Sequence, residues 1–272
     1  MTVIRQDDFI DSVADALQFI SYYHPKDFVD AVHEAWQKEQ NPAAKDAMAQ
    51  ILINSRMCAE GHRPICQDTG IVTVFLKIGM DVQWDATLSV ADMVNEGVRR
   101  AYTHPDNVLR ASILEDPAGA RRNTKDNTPA VIHMEVIEGD TVDVQVAAKG
   151  GGSENKSKMA MLNPSDSIVD WVVKTVPTMG AGWCPPGMLG IGIGGTAEKA
   201  AVMAKESLME SIDIHELRER GPANRAEELR LELMDAVNKL GIGAQGLGGL
   251  TTVMDVKIKE YPTHAASLPV CM

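Results

Sequence analysis

Apolar residues recur at helical spacing through about the first sixty positions. Ile10, Val13, Leu17 and Ile20 form one stripe, which predicts an amphipathic helix with Asp8 as its cap. His24-Pro25 ends it, because the residue before a proline is driven out of the helical region. Phe28, Val32 and Ala35 mark a second helix. Asn41-Pro42 supplies a cap and a proline suited to a first turn. Met48, Ile51, Leu52, Ser55 and Cys58 then share one face of a third helix, so Cys58 is read as a small buried hydrophobe.

The period then shortens. "GIVTVFLKIG" (70–79) is rich in β-branched residues and predicts a strand starting straight after the turn "CQDT". Residues 89–114 predict a helix with Val90, Met93, Val94 and Val98 on its apolar side. In "PAVIHMEVIEGDTVDVQVAA", Ile132, Met134 and Val136 alternate, as do Val142, Val144 and Val146, with "EGD" between them. That pattern predicts a hairpin. His133 falls on the opposite face, as a surface or second-layer histidine. Residues 165–176 predict a short helix, and "MLGIGIGG" (188–195) a strand running into the helix "TAEKAAVMAKESL". A helix over 221–240, a glycine loop over 241–249 and a strand over 250–258 follow. The expected fold class is α/β, or mixed α+β: a helical segment over 1–60, then interleaved strands and helices with a mixed sheet over 61–272. The chain stops at "SLPVCM", just after apolar residues, which points to a fragment or to a subunit that meets a partner.

Composition narrows the function classes. The 272 residues are 44% hydrophobic and 24% charged, enough to bury a sizeable core. The formal net charge of −12 argues against non-specific nucleic-acid binding, which needs basic charge to neutralise phosphates. It leaves small anionic substrates open, because local arginines and lysines override the global sign. No apolar run approaches the roughly 20 residues that span a bilayer, and "MTVIRQDDF" has no hydrophobic signal region. A cytoplasmic protein with no membrane partner is expected. The cysteines, Cys58, Cys66, Cys184 and Cys271, are too few for a disulfide scaffold and are expected to stay reduced.

Three loops carry candidate chemistry. "ICQDTG" (65–70) sets a thiol, an amide and a carboxylate side by side after Pro64. "AGWCPPGM" (181–188) puts Cys184 on a loop made rigid by two prolines. "AAKGGGSENKSK" (147–158) follows a strand, and its glycines, with Lys149, Ser153, Asn155 and Lys156, suit an anion, although the Walker spacing is absent. "GIGIGG" (190–195) matches G-x-G-x-x-G in form. The acidic residue expected some 20 positions on is not convincing, so close backbone packing, or another anion at the helix start, reads better. No close cysteine pair indicates a zinc ribbon. Cys66 with Asp68 could be a nucleophile, but no base can be placed. Widely separated loop cysteines also fit an iron–sulfur cluster held where several loops meet.

Taken together, "ICQDTG", "KGGGSENKSKMAML", "GWCPPGMLGIGIGGTAEKA", "GIGAQGLGGLTTV" and "YPTHAASLPV" resemble the N-terminal, cluster-bearing part of class I fumarate hydratase. That iron–sulfur hydro-lyase family also includes L-tartrate dehydratase. The resemblance runs from about residue 45 to the end and is more specific for the family than for the substrate. It implies a 4Fe–4S cluster held by three cysteines, with one iron left open as a Lewis acid for adding or removing hydroxide. Cys66 and Cys184 match cluster ligands. Gln67 would hydrogen-bond a substrate carboxylate, and Asp68 would handle or orient the hydroxyl proton. Arg110 would clamp a carboxylate, with Gly150 giving backbone contact and Lys149 beside it. The family's third cysteine lies shortly after the position of "HAASLPV". It is therefore expected beyond Met272, with Cys271 a lesser candidate, otherwise a core thiol. His264 is read as a structural turn histidine. The family also implies a small dicarboxylate substrate, a C-terminal domain or beta subunit that carries the base, and a homodimer. The expected activity is reversible hydration of fumarate to (S)-malate, with L-tartrate dehydration or a non-catalytic cluster-binding subunit as alternatives.

Overall fold

The computed structural model describes residues 2–272. Along the chain run β1 (Val3–Arg5), α1 (Gln6–Tyr22), α2 (Lys26–Lys38), α3 (Pro42–Gly61), β2 (Ile71–Gly79), β3 (Gln83–Asp85), α4 (Val90–Tyr102), β4 (Leu114–Glu115) and β5 (Arg122–Asn123). There follow β6 (Val131–Ile137), β7 (Val142–Lys149), α5 (Gly151–Glu154), β8 (Met159–Leu162), α6 (Ile168–Thr175), β9 (Gly187–Gly194), α7 (Ala197–Ser207), α8 (Ile214–Arg220), α9 (Arg225–Asn238), β10 (Val253–Tyr261) and β11 (Leu268–Cys271). The expected α/β class with a helical N-terminal segment is what the chain adopts. No helix among the described residues is long and apolar enough to cross a membrane.

The chain divides into two compact units, and the helical segment is shared between them. The first unit takes residues 1–24 and 54–151, and the second takes 25–53 and 152–272.

In the first unit β2 is the central strand of the three-stranded sheet β6-β2-β7. β6 runs parallel to it and β7 antiparallel. The expected hairpin is therefore overturned: β6 and β7 are consecutive in sequence, but β2 lies between them. Their connection crosses the end of β2, where Gly79 N–H donates to Thr141 O at 2.8 Å and Asp81 N–H to Gly139 O at 2.9 Å. Val72, Val74 and Leu76 of β2 are buried with Ile10, Val13 and Leu17 of α1 and with Met93, Val94 and Val98 of α4. α4 is capped by Ser89, whose Oγ accepts the Asp92 N–H. It ends at Tyr102 instead of continuing toward 114, because His104-Pro105 cannot extend a helix. α1 also starts differently from expectation: Arg5 is the cap residue, and Asp8 sits inside the first turn, paired with the Arg5 side chain.

In the second unit the sheet order is β10-β9-β11-β8. β10 and β9 are parallel, and β11 is antiparallel to β9 and β8. The core joins Leu189, Ile191 and Ile193 to Leu229, Leu233 and Val237 of α9 and to Val253 and Val256. Arg230 and Lys257, both buried, pair with Asp213 and with fully buried Asp255. Burial pushes the Asp213 carboxyl up, but Arg230 and Lys257 outweigh it and bring it down to about 2.

"GIGIGG" proves to be a packing device. A Cβ on Gly192 would lie 2.0 Å from Ala200 O of α7, and one on Gly190 would lie 2.2 Å from Ala204 O. The glycines let α7 sit directly on β9. Gly192→Ala is expected to force the helix off the sheet and to cost roughly 3 kcal/mol of stability by denaturant titration, near the upper end for overpacking. A loss below about 0.5 kcal/mol, the range of neutral surface changes, would contradict this reading.

Candidate functional site

The turn 65–70 leads into β2 and is fastened at both ends within the first unit. Ile65 N–H donates to Ser21 O at 2.8 Å, and Asn54 Nδ2 donates to Ile65 O at 2.9 Å. At the other end, the Tyr102 hydroxyl donates to Thr69 O at 2.5 Å. Thr69 Oγ1 donates to Arg110 O at 2.6 Å. Burial pushes the Tyr102 hydroxyl up to about 12, with the charge of Asp68 adding to it and the Thr69 bond opposing it. Tyr102 thus stays protonated and keeps donating.

Asp68 is the polar centre of this turn. Its Oδ2 accepts the Gly151 N–H at 2.7 Å and its Oδ1 accepts the Gly70 N–H at 3.1 Å. The Asp68 N–H points to Cys66 Sγ at 3.4 Å, and the Cys66 thiol lies 3.8 Å from Gln67 Oε1. A Cβ on Gly150 would sit 3.1 Å from Asp68 Oδ2, a tight contact, so a side chain at this position would push the Asp68 carboxylate aside by a few tenths of an ångström. Lys149 is the last residue of β7 and pairs in register with Ile71, the first of β2. The first unit therefore brings the "CQDTG" turn, the backbone at Arg110 and the Lys149-Gly150-Gly151 strand end into one place. Cys66, Gln67 and the Arg110 side chain are exposed there.

In the second unit Cys184 is exposed, with φ +58, just before the Pro185-Pro186 pair. Its N–H donates to Ala181 O at 2.9 Å. Gln245 fixes the following residue, its backbone N–H and Nε2 both reaching Pro185 O, at 2.6 and 2.9 Å. Lys156 of the glycine loop lies against Gly182. The indole N–H of Trp183, beside Cys184, is buried and has no hydrogen-bond partner among the described residues. Cys271 is buried in β11 against Ala200 and Ala204, and burial pushes its thiol up. Cys58 is buried too, 3.6 Å from Pro64 O. His264 Nδ1 accepts the Ala266 N–H in an exposed turn, and His133 stacks on Phe75 at 4.9 Å.

No group of three or more His, Cys, Asp or Glu is gathered for a metal ion among the described residues. Cys66 and Cys184 are nonetheless free, exposed thiols on loops whose backbones are pinned. Soft thiolate donors of this kind suit an iron–sulfur cluster, and an unpartnered indole N–H beside one of them suits an acceptor that the protein alone does not supply. Cys66 and Cys184 are each available as one of the three cysteine ligands that the sequence resemblance implies; no third exposed thiol lies among the described residues.

Sequence reasoning missed Tyr102 and Asn127. Tyr102 carried one faint signal, its place four residues after Val98 on the apolar stripe of α4. Asn127, fully buried beneath the turn, carried none. Removing the Tyr102 hydroxyl leaves the Thr69 carbonyl without its donor. Tyr102→Phe is expected to cost about 1 kcal/mol, a typical net hydrogen-bond contribution, measured by chemical denaturation. An unchanged midpoint would contradict this anchoring role.

Comparison with known proteins identifies the family. A Methanocaldococcus jannaschii protein, named provisionally as an L(+)-tartrate dehydratase subunit alpha, is 36% identical over 268 residues, covering 96% of this chain and 91% of its own. The L(+)-tartrate dehydratase alpha subunits of Escherichia coli and Shigella sonnei are each 28% identical over 263 residues, covering 96% of this chain and 84% of theirs. The profile of the fumarate hydratase (Fumerase) family matches residues 10–272, and the chain belongs to that hydro-lyase family.

Proposed function

We propose that this chain is the cluster-bearing, alpha-type part of a hydro-lyase that removes water from, or adds it to, a four-carbon hydroxydicarboxylate. The observation that carries the reading is the Cys66-Gln67-Asp68 turn, whose carboxylate is fixed by two backbone N–H groups beside an exposed thiol. A sensor needs no amide and carboxylate beside its thiol, and a nucleophile needs a base, which has no candidate beside Cys66.

Cys66 and Cys184 would hold a 4Fe–4S cluster. Cys58 and Cys271 are buried, and Cys271 is the lesser candidate for a third ligand, which we place in a further segment or a partner. When bound, such a cluster supplies a Lewis acid that polarises the departing hydroxyl. The protein's part is orientation and proton handling. Gln67 would donate its amide to a substrate carboxylate, and Arg110 would grip a carboxylate through the planar fork of its guanidinium. Gly150 permits close backbone approach, and Lys149 adds positive charge beside it. Asp68, held by Gly70 and Gly151, would take or orient the hydroxyl proton. The alpha-subunit names of the relatives suggest a beta-type partner, and we assign to it, or to a C-terminal domain, the base that removes the proton from the neighbouring carbon.

Our first reading of the substrate pair is fumarate and (S)-malate, the reaction that names the family. The second is L(+)-tartrate, favoured by the names of the relatives. Asp68→Asn is expected to lower kcat by about 10²- to 10⁴-fold, the usual worth of a positioned proton-transfer group, with iron and sulfide content unchanged. Retained turnover would remove Asp68 from the chemistry. Steady-state assays of the complete, cluster-loaded enzyme separate the substrates: turnover of tartrate alone contradicts the first reading, turnover of malate alone the second, and turnover of neither overturns both.

A further inference from the structure

Asn127 is fully buried and has φ +62, a region that asparagine enters more readily than most residues. Both ends of its carboxamide are used. Nδ2 donates to Gly70 O at 3.1 Å, and Oδ1 accepts the Ser112 N–H at 2.7 Å. Burying an amide is costly unless it is paired, and here the partners are backbone groups of two different loops. Gly70 lies two residues after Asp68 and donates to its carboxylate. Ser112 lies two residues after Arg110, whose carbonyl accepts from Thr69. The segment that carries Asn127 is itself fastened to α4. Arg99 Nε donates to Asp126 at 3.0 Å, and the Ala130 N–H donates to Asn95 Oδ1 at 2.9 Å.

We infer that Asn127 is a positioning residue: its carboxamide sets the spacing between the Asp68 turn and the Arg110 segment, and so the fit of a dicarboxylate gripped at Arg110 with its hydroxyl at Asp68. This rests on the functional reading above. Asn127 acts only through backbone groups and touches no reacting atom.

Two variants separate this role from simple support of the fold. Asn127→Asp keeps the shape, tolerates the backbone angle and keeps the acceptor for Ser112, but replaces the donor to Gly70. Asn127→Gly keeps the backbone angle and removes both bonds. In the complete, cluster-loaded enzyme, Asn127→Asp is expected to lower kcat by about 10- to 100-fold, the effect of a misplacement near 1 Å, with KM little changed. Asn127→Gly is expected to lower kcat and also to raise KM, because the Arg110 side is released as well. Hydrogen exchange at the Gly151 amide, which donates to Asp68, is expected to quicken in both variants. Variants that lose only thermal stability, with kcat and KM per loaded molecule unchanged and Gly151 exchange unaltered, would overturn the inference. Wild-type enzyme inactive on both malate and tartrate would instead overturn the functional reading, and the exchange measurement would still decide whether Asn127 controls the Asp68 turn.

Discussion

The organising contact of the first unit is the Asp68 carboxylate, shared between the Gly70 and Gly151 N–H groups. It ties the turn before β2 to the end of β7, the antiparallel neighbour of β2. Bonds from backbone N–H groups to a carboxylate are stronger than those to a neutral acceptor, and this pair fixes the side chain to which the proposed function gives the hydroxyl proton. Everything beneath serves that arrangement. The buried faces of α1, α4 and β2 form one core, and α4 sends Tyr102 to the turn from below while Arg99 and Asn95 hold the Asn127 segment. A rigid helix thus determines where an exposed loop sits, which is what a site that must orient a small substrate requires.

The cysteines sort by environment. Cys58 and Cys271 are buried, Cys58 with its thiol against Asn54 Oδ1 and Pro64 O, and Cys271 among alanines, where burial pushes its thiol up. Cys66 and Cys184 lie on exposed turns with pinned backbones. Prolines and close-packed glycines around them remove conformational freedom before any ligand arrives, so less ordering cost remains to be met on binding.

What was legible in the sequence follows from how local each signal is. The helices α2, α3 and α6 and the strands β2 and β9 were read from periodicity and caps, because those signals lie within a few residues. The pairing of β6 with β7 was misread: alternation and a short "EGD" turn suggested a hairpin, while the insertion of β2 between them depends on contacts some 60 residues away in sequence. α8, β8 and β11 were missed because α8 spans only seven residues, short of two helical turns, and β8 and β11 only four each, too short for their periods to show. The residues of the candidate site were legible because "CQDTG" and "KGGGSENK" are compact motifs. Asn127 was not, because its importance lies in burial and in two backbone partners, neither of which leaves a local pattern.

The central proposal is that Cys66 and Cys184 are each a ligand of an iron–sulfur cluster, with Gln67 and Asp68, beside Cys66 in sequence, orienting the substrate. The most direct measurement is anaerobic reconstitution with iron and sulfide, counting both per chain and, after one-electron reduction with dithionite, recording the electron paramagnetic resonance spectrum with and without malate or tartrate, for the wild type and for Cys66→Ser and Cys184→Ser. The account predicts a cubane cluster in the complete enzyme whose signal shifts with substrate, and loss of bound iron in either variant. Full iron and sulfide content in both serine variants, or a signal indifferent to substrate, would contradict it.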